Sequence, residues 1–255
     1  MIRQQRMIVV KQQEIANHIF ELTVQGDLTN EMAAPGQFVH VRVADSFEPL
    51  LRRPISVAAI DKANLQFTMI YRAEGRGTSL LAEKKPGDEL DVLGPLGNGF
   101  PVAEAKKKAY LIGGGIGVPP LYELAKELNE RGIETVHILG FESKGAIFYE
   151  EKFRELGDTH IATVDGSHGT QGFVTHILNE LPKDFDTYYS CGPTAMLEAV
   201  QWAYPEKQGF LSYEQRMGCG IGACFACVCR TTKSETDYIK VCSDGPVFPA
   251  GVVIS

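Results

Sequence analysis

The sequence predicts a chain of mixed class, α/β plus β-barrel: an antiparallel barrel first, a parallel α/β unit second and a small cysteine-rich module last. Three observations carry this. Up to about residue 100, apolar residues alternate in short runs broken by Pro-Gly and Gly-Pro turns. After the lysine run Lys106–Lys108, strand-like segments alternate with helical ones, the grammar of a parallel sheet. Five of the six cysteines fall in the last 37 residues. The expected partition is therefore 1–103, 104–206 and 207–255.

A chain of 255 residues has room for two modest domains of about 100–150 residues and a module. Its 44% hydrophobic and 22% charged residues are those of a globular protein. No apolar run approaches the roughly 18–20 residues that span a bilayer. The segment Met1–Val10 lacks the sustained apolar core and small-residue cleavage site of a signal peptide, so a cytoplasmic address is expected. A net charge of −7 argues against nucleic acid as a partner, because phosphate contacts need a basic face.

In the first part, His18–Val24, Gln37–Val43, Leu51–Ser56, Asn64–Tyr71 and Asp88–Leu93 each suit a half-buried strand, with turns at Pro35-Gly36, Pro86-Gly87 and Gly94-Pro95. A short helix is expected at Thr78–Glu83. Strands at this spacing make a small antiparallel barrel. In the second part the expected order is strand Ala109–Ile112, helix Pro120–Arg131, strand Thr135–Gly140 and helix Tyr149–Leu156. Strand His160–Val164, helix Phe173–Leu181, strand Thr187–Ser190 and helix Thr194–Ala203 follow. Trp202, on the last helix, is expected to pack in the core. Past Pro205 the periodicity is lost, and the tail from Gln208 is too short for a core of its own without a staple.

That staple is legible. Cys219-x4-Cys224-x2-Cys227, with Cys242 following after fourteen intervening residues, has the opening spacing of plant-type 2Fe–2S ferredoxins. Clustered cysteines in a cytosolic chain are metal ligands more often than disulfides. Gly218, Gly220 and Gly222 clear side chains from the loop and leave amides free to bond sulfur. Zinc is the alternative, but tetrathiolate zinc sites come as two short knuckles, a poor match to three cysteines in one loop. Cys229 reads as a small buried filler.

Two glycine loops point to a dinucleotide. Gly113, Gly114, Gly115 and Gly117 lie between a strand and a helix that Pro119 and Pro120 open, where backbone amides can meet a pyrophosphate. Cys191, Gly192 and Pro193 follow the last parallel strand, on the carboxyl edge where open α/β sheets bind ligands. A dinucleotide fingerprint also wants an acidic residue about 20 residues on. Glu142 is the nearest counterpart, late in position and assigned no role. Asp165-Gly166 reads as a turn or as a wall of the same site. In the barrel, Arg52 and Arg53, then Ile70-Tyr71-Arg72 and Gly77-Thr78, define an anion-binding face, unless the two arginines are simply a solvated pair.

Arg53-Pro54-Ile55-Ser56, the Gly113–Pro120 loop and Cys191-Gly192-Pro193, in this order, resemble the ferredoxin reductase family. With Asp165–Gly169, Glu214–Cys219 and Cys242–Phe248 added, the whole chain is similar to one branch of it, the electron-transfer subunits of NAD-linked dihydroorotate dehydrogenases. The resemblance implies that Arg53, Pro54, Ile55 and Ser56 contact FAD, Ser56 near the redox-active ring nitrogen. It implies further that Ile70, Tyr71 and Arg72 flank the flavin, and that Gly77 and Thr78 cap its pyrophosphate. NAD then falls to Gly113, Gly114, Gly115, Gly117, Cys191, Gly192 and Pro193, and iron to Cys219, Cys224, Cys227 and Cys242. Ile55 departs from the aromatic residue many relatives carry there. No side chain is expected as a catalytic acid or base, since the cofactors carry the chemistry.

The implied activity is transfer of electrons from an FMN-bearing dihydroorotate dehydrogenase subunit through the 2Fe–2S cluster and FAD to NAD+, in de novo UMP synthesis, within a heterotetramer of two of each subunit. The chain has no room for a (β/α)8 barrel of about 250 residues beside its three parts, so it is not expected to oxidise dihydroorotate itself. The alternatives are an NAD(P)H-dependent ferredoxin or polysulfide reductase subunit and a non-enzymatic zinc-stapled binding module.

Overall fold

The structure, a computed structural model, describes residues 1–46 and 48–254, with the backbone alone of Glu235. The first part holds β1 (Arg3–Ala16), β2 (Ile19–Gln25), β3 (Phe38–Arg42), β4 (Arg53–Asp61), β5 (Gln66–Arg72), α1 (Arg76–Ala82) and β6 (Glu89–Leu96). Its six strands close a barrel in the order β1-β2-β5-β4-β3-β6, every pair antiparallel. Alternate residues fill it: Met7, Val9, Leu22, Val39, Val57 and Met69 point inward. β1 is the strand that sequence reading missed. Of its 14 residues only Met7 and Val9 are buried, so it shows almost no apolar alternation. It pairs with both β2 and β6 and thereby closes the barrel.

The second part runs β7 (Lys108–Gly114), α2 (Pro119–Glu130), β8 (Glu134–Phe141), α3 (Glu150–Arg154), β9 (Asp158–Thr163), β10 (Thr170–Gln171), α4 (Val174–Glu180), β11 (Thr187–Cys191), α5 (Thr194–Ala203) and β12 (Gln208–Ser212). The third contributes β13 (Val228–Thr231), β14 (Ser234–Lys240), α6 (Val241–Asp244), β15 (Val247–Pro249) and β16 (Val253–Ile254). Seven strands form one sheet, β10-β9-β8-β7-β11-β12-β15, parallel except for the last pair. The strands are buried on both faces, as a helix-covered parallel sheet demands. Leu111, Leu139, Tyr189 and Phe210 face α2, while Ile112, Ile138, Tyr188 and Leu211 face α4 and α5. On α2, Leu121, Leu124, Ala125 and Leu128 repeat at helical spacing and fill the seam between sheet and barrel.

Gln208–Ser212, expected in the cysteine tail, pairs parallel to β11, and β15 returns to pair with it. The cysteine module is thus hung from the nucleotide sheet by both of its ends. Its own three-stranded sheet, β14-β13-β16, shares a core with Phe38, Leu96 and Phe248.

Trp202 corrects an expectation. It is 81% exposed, because at about 100° per residue it points away from Leu197 and Val200, the face α5 buries. At the seam between barrel and sheet, buried Glu21 takes Lys11 at 2.6 Å, Lys152 at 3.3 Å and the Tyr149 hydroxyl. Burial pushes this carboxyl up, but its three partners hold it below the usual range. No helix among the described residues is long and apolar enough to cross a membrane.

Candidate functional site

Two cavities and a thiol loop lie where the three parts meet. The first cavity, about 240 Å3, has Pro54, Ser56, Ile70, Arg72 and Thr78 on its barrel wall. Ile55 and Tyr71 reach its edge, but strand alternation sends both inward. The Tyr71 ring stacks on Phe20, its hydroxyl accepts from Gln12 at 2.7 Å, and burial pushes its pKa up to about 12. The opposite wall is Tyr213, Glu214, Gln215 and Met217, from the run that follows β12. Glu214 lines this cleft from an exposed backbone run, and desolvation by the surrounding walls raises its carboxyl above the usual range.

Arg53 and Gly77 sit together beside that cavity. A Cβ on Gly77 would fall 2.6 Å from Arg53 Cζ and Nη2, so the guanidinium occupies the space glycine leaves at the start of α1. The Thr78 hydroxyl accepts the Gly75 N–H at 3.1 Å and donates to the Gly75 carbonyl at 3.0 Å, which fixes the turn below it. A cationic fork held over a glycine turn is a cradle suited to a pyrophosphate. The solvated-pair reading fails for Arg52, which is committed elsewhere, with Nη2 3.0 Å from both oxygens of buried Asp91.

The second cavity, about 450 Å3, lies at the carboxyl edge of the sheet and is walled by Gly114, Gly115, Glu142, Phe173, Pro193 and Met196, among others. Arg72 belongs to both walls, so one guanidinium separates the two cavities. Gly113, Gly117, Cys191 and Gly192 do not line it. A Cβ on Gly117 would lie 2.5 Å from Gly192 N and against the Cys191 carbonyl. One on Gly113 would lie 2.9 Å from Val118 Cγ2. These glycines therefore let the loop press onto the end of β11, while Gly114 and Gly115 face the cavity. Cys191 is buried, and desolvation pushes its thiol far above the ordinary value, so it is not a nucleophile.

The four clustered thiols stand as two pairs. Cys227 Sγ and Cys242 Sγ are 3.2 Å apart, against ~3.8 Å for two thiolates on one tetrahedral metal with bonds of ~2.3 Å. The Cys224 thiol bonds to Cys219, whose Sγ also accepts the Cys224 N–H at 3.3 Å. Gly222 N–H donates to Cys242 Sγ at 3.2 Å. Burial pushes the Cys219 thiol up, but the amides of Ile221, Cys224 and Ala223 bring it down to about 7. Desolvation and the neighbouring Cys227 raise Cys242 to about 12. Among the described residues no three ligand groups converge as a single ion requires. Two thiol pairs with amides aimed at sulfur fit a two-iron cluster, one pair to each iron. Cys229 is buried in the same core as Cys227 and Cys242, and its thiol bonds to Gln215 rather than to another cysteine. Beneath the loop, fully buried His40 lies under Gly220 and meets Phe38 edge-on at 6.4 Å, and Phe38 lines the first cavity. The thiol loop and that cavity are therefore neighbours.

Sequence reading assigned no role to Tyr213–Met217, Val164 or Phe173. Glu214–Met217 lie inside a run already noted before Cys219; Tyr213, Val164 and Phe173 carry no local signal. Asp165-Gly166 is a turn, with Asp165 Oδ1 accepting Ser167 N–H at 3.0 Å and Gly166 at φ 73°.

Barrel, nucleotide sheet and thiol module in this order define a class, the ferredoxin reductase-like flavoprotein fold carrying an iron–sulfur module. The family described as the iron–sulfur cluster binding domain of dihydroorotate dehydrogenase B matches residues 214–254, and the oxidoreductase NAD-binding domain matches residues 111–202. The chain is 62% identical over 256 residues, 99% of each chain, to the dihydroorotate dehydrogenase B (NAD(+)) electron transfer subunit of Lysinibacillus sphaericus (strain C3-41). It is 58% identical over 258 residues, all of both chains, to that of Bacillus mycoides (strain KBAB4). Among solved structures it superposes on an NADH-dependent reduced ferredoxin-NADP oxidoreductase with TM-score 0.88 and 30% identity, over 98% of this chain and 90% of that one. An Amycolatopsis cytochrome P450 reductase, at TM-score 0.69, 22% identity, and 80% and 66% coverage, shares the fold. This chain belongs to the family of dihydroorotate dehydrogenase B electron transfer subunits.

Proposed function

We propose that this chain is the electron-transfer half of a NAD-linked dihydroorotate dehydrogenase, holding FAD in the first cavity, NAD in the second and a 2Fe–2S cluster on Cys219, Cys224, Cys227 and Cys242. The observation that carries the reading is Arg72 shared by two cavities, one of which abuts the four-thiol loop through Phe38 and His40. When bound, FAD exchanges a hydride with the nicotinamide and the cluster carries single electrons.

The chain's own residues position and shield. Arg53 over Gly77 is suited to grip the flavin pyrophosphate, and Pro54, Ser56 and Ile70 form the wall for its ring. Gly114 and Gly115 offer backbone to the dinucleotide. The largely apolar walls exclude water between the two. The name electron transfer subunit, printed for the relatives, implies a catalytic subunit beside them. For this chain we propose an FMN-bearing, dihydroorotate-oxidising partner, two of each in the assembly, serving UMP synthesis. All six cysteines are free thiols, which suits the cytoplasm.

The test is co-expression with that catalytic subunit and an assay of dihydroorotate-dependent NAD+ reduction. The complex is expected to copurify, to carry both flavins and iron, and to reduce NAD+. A chain that binds no such subunit but reduces ferredoxin or polysulfide with NADH would replace this reading with that of a stand-alone reductase.

A further inference from the structure

We infer that Glu142 selects NAD over NADP. This rests on the reading that the second cavity holds the dinucleotide, and it assigns the end of that cavity which receives the adenosine. β8 lies beside β7, with Gly140 paired to Gly114. Glu142 stands two residues past Gly140, about 6.6 Å further along the strand direction. A dinucleotide whose pyrophosphate rests on Gly114 and Gly115 brings its adenosine ribose to that edge.

Glu142 lines the same cavity as those glycines. Its backbone carbonyl accepts the Asp165 N–H at 3.3 Å, which fixes the residue where β8 ends. Its carboxylate has no hydrogen-bond or ion-pair partner among the described residues, and its side chain is exposed. Val164 (46% exposed) and Phe173 (61% exposed) are apolar walls of this same cavity, surfaces suited to the faces of a flat base. Phe173 is backed by His176, ring centroids 6.3 Å apart and nearly parallel.

The charge of the cavity wall decides the selection. A ribose diol donates hydrogen bonds to a carboxylate that has no other partner. A 2′-phosphate, carrying about −1.5 to −2 charges, is repelled by it. Among the described residues the one cationic side chain in the cavity wall is Arg72, beside Gly115 at the flavin end. Lys144, only two residues past Glu142, lines a different groove with Glu21, Tyr149 and Lys152.

The experiment uses the assembled complex with flavin and cluster in place, and measures NAD+ and NADP+ binding by calorimetry beside kcat/KM for NADH and NADPH. The native complex is expected to bind NAD+ on the order of 10- to 100-fold more tightly than NADP+, the worth of a charge-assisted hydrogen bond. Glu142→Gln should remove most of that ratio, and Glu142→Arg should invert it. 5′-AMP against 2′,5′-ADP should repeat both shifts, placing the effect in the adenosine half. Lys144→Ala should leave the ratio where it was. Native-like ratios in both Glu142 variants, with both dinucleotides still bound, would overturn the inference while leaving the cavity assignment intact. A native complex that binds neither dinucleotide would overturn the cavity assignment itself.

Discussion

Adding one methyl group at Gly77 is expected to release FAD without unfolding the barrel. The Cβ of Gly77→Ala would start 2.6 Å from Arg53 Cζ and Nη2. Carbon contacts are comfortable from about 3.5 Å, so the guanidinium must retreat by about 1 Å. A bidentate grip on a phosphate does not survive that shift. The loss is that of a hydrogen bond to a charged group, about 1.5–3 kcal/mol, or roughly 10- to 150-fold in affinity. The helix itself should not lose, since Gly77 stands in the first turn of α1, where the roughly 1 kcal/mol by which alanine exceeds glycine in a helix interior applies in part. The control is Gly75→Ala, where the nearest atom is Thr78 Oγ1 at 3.8 Å and the backbone is extended. Fluorescence titration of the apo-flavoprotein with FAD gives the affinity, and circular dichroism melting gives the stability. Gly77→Ala should resemble Arg53→Ala in FAD affinity and match or exceed the native chain in melting temperature. Native FAD affinity in Gly77→Ala would refute the assignment of Arg53 to the pyrophosphate.

Serine at any one of Cys219, Cys224, Cys227 or Cys242 should abolish or strongly reduce acid-labile sulfide and the visible cluster absorbance, whereas Cys229→Ser should keep both; loss of cluster in Cys229→Ser alone would move the ligand set. His137 is fully buried with its pKa down at about 4 from 6.5, chiefly through desolvation. The unfolded chain takes up this proton near pH 6.5 and the fold resists until about 4. Stability is therefore complete above 6.5 and falls by about 3 kcal/mol as pH drops to 4. Buried His40, also pushed down to about 4 chiefly by desolvation, adds a like slope in the same window, so urea midpoints should fall across it and His137→Gln should remove about half of the fall. Glu21→Ala removes one partner within the barrel, Lys11, and two across the seam to the sheet, Tyr149 and Lys152, and should cost about 1–2 kcal/mol, discounted because both lysines are half-exposed and regain water. Unchanged urea midpoints would show that the seam is held by apolar packing alone.

What could be read in the sequence was local. Helix α5 keeps its expected bounds, Thr194–Ala203, because Pro193 precedes it and Pro205 lies just beyond it. The cysteine spacing lies within one loop and its return, so it too was legible. β1 was not, since a strand that turns Arg, Gln and Lys to solvent and buries two residues offers no periodic signal. Gln208–Ser212 was assigned to the cysteine tail because its strand character depends on β11 on one side and β15 on the other. Glycines carry a second constraint that the sequence does not display. Gly113 and Gly117 read as phosphate contacts, and the fold shows that each is also needed for close packing, since a Cβ there would strike Val118 or the Cys191 carbonyl. The flavin wall Tyr213–Met217 and the apolar surfaces of Val164 and Phe173 are assembled by residues far apart in the chain, which only the fold brings together.

The central claim is that four thiols hold a two-iron cluster in electronic contact with the nucleotide site. Anaerobic addition of NADH to the purified complex, followed by electron paramagnetic resonance at low temperature, tests it most directly. The account predicts bleaching of flavin absorbance together with the signal of a reduced 2Fe–2S cluster, close to one per chain. A flavin that bleaches while the iron stays silent, or a chain that carries zinc in place of iron and sulfide, would contradict it.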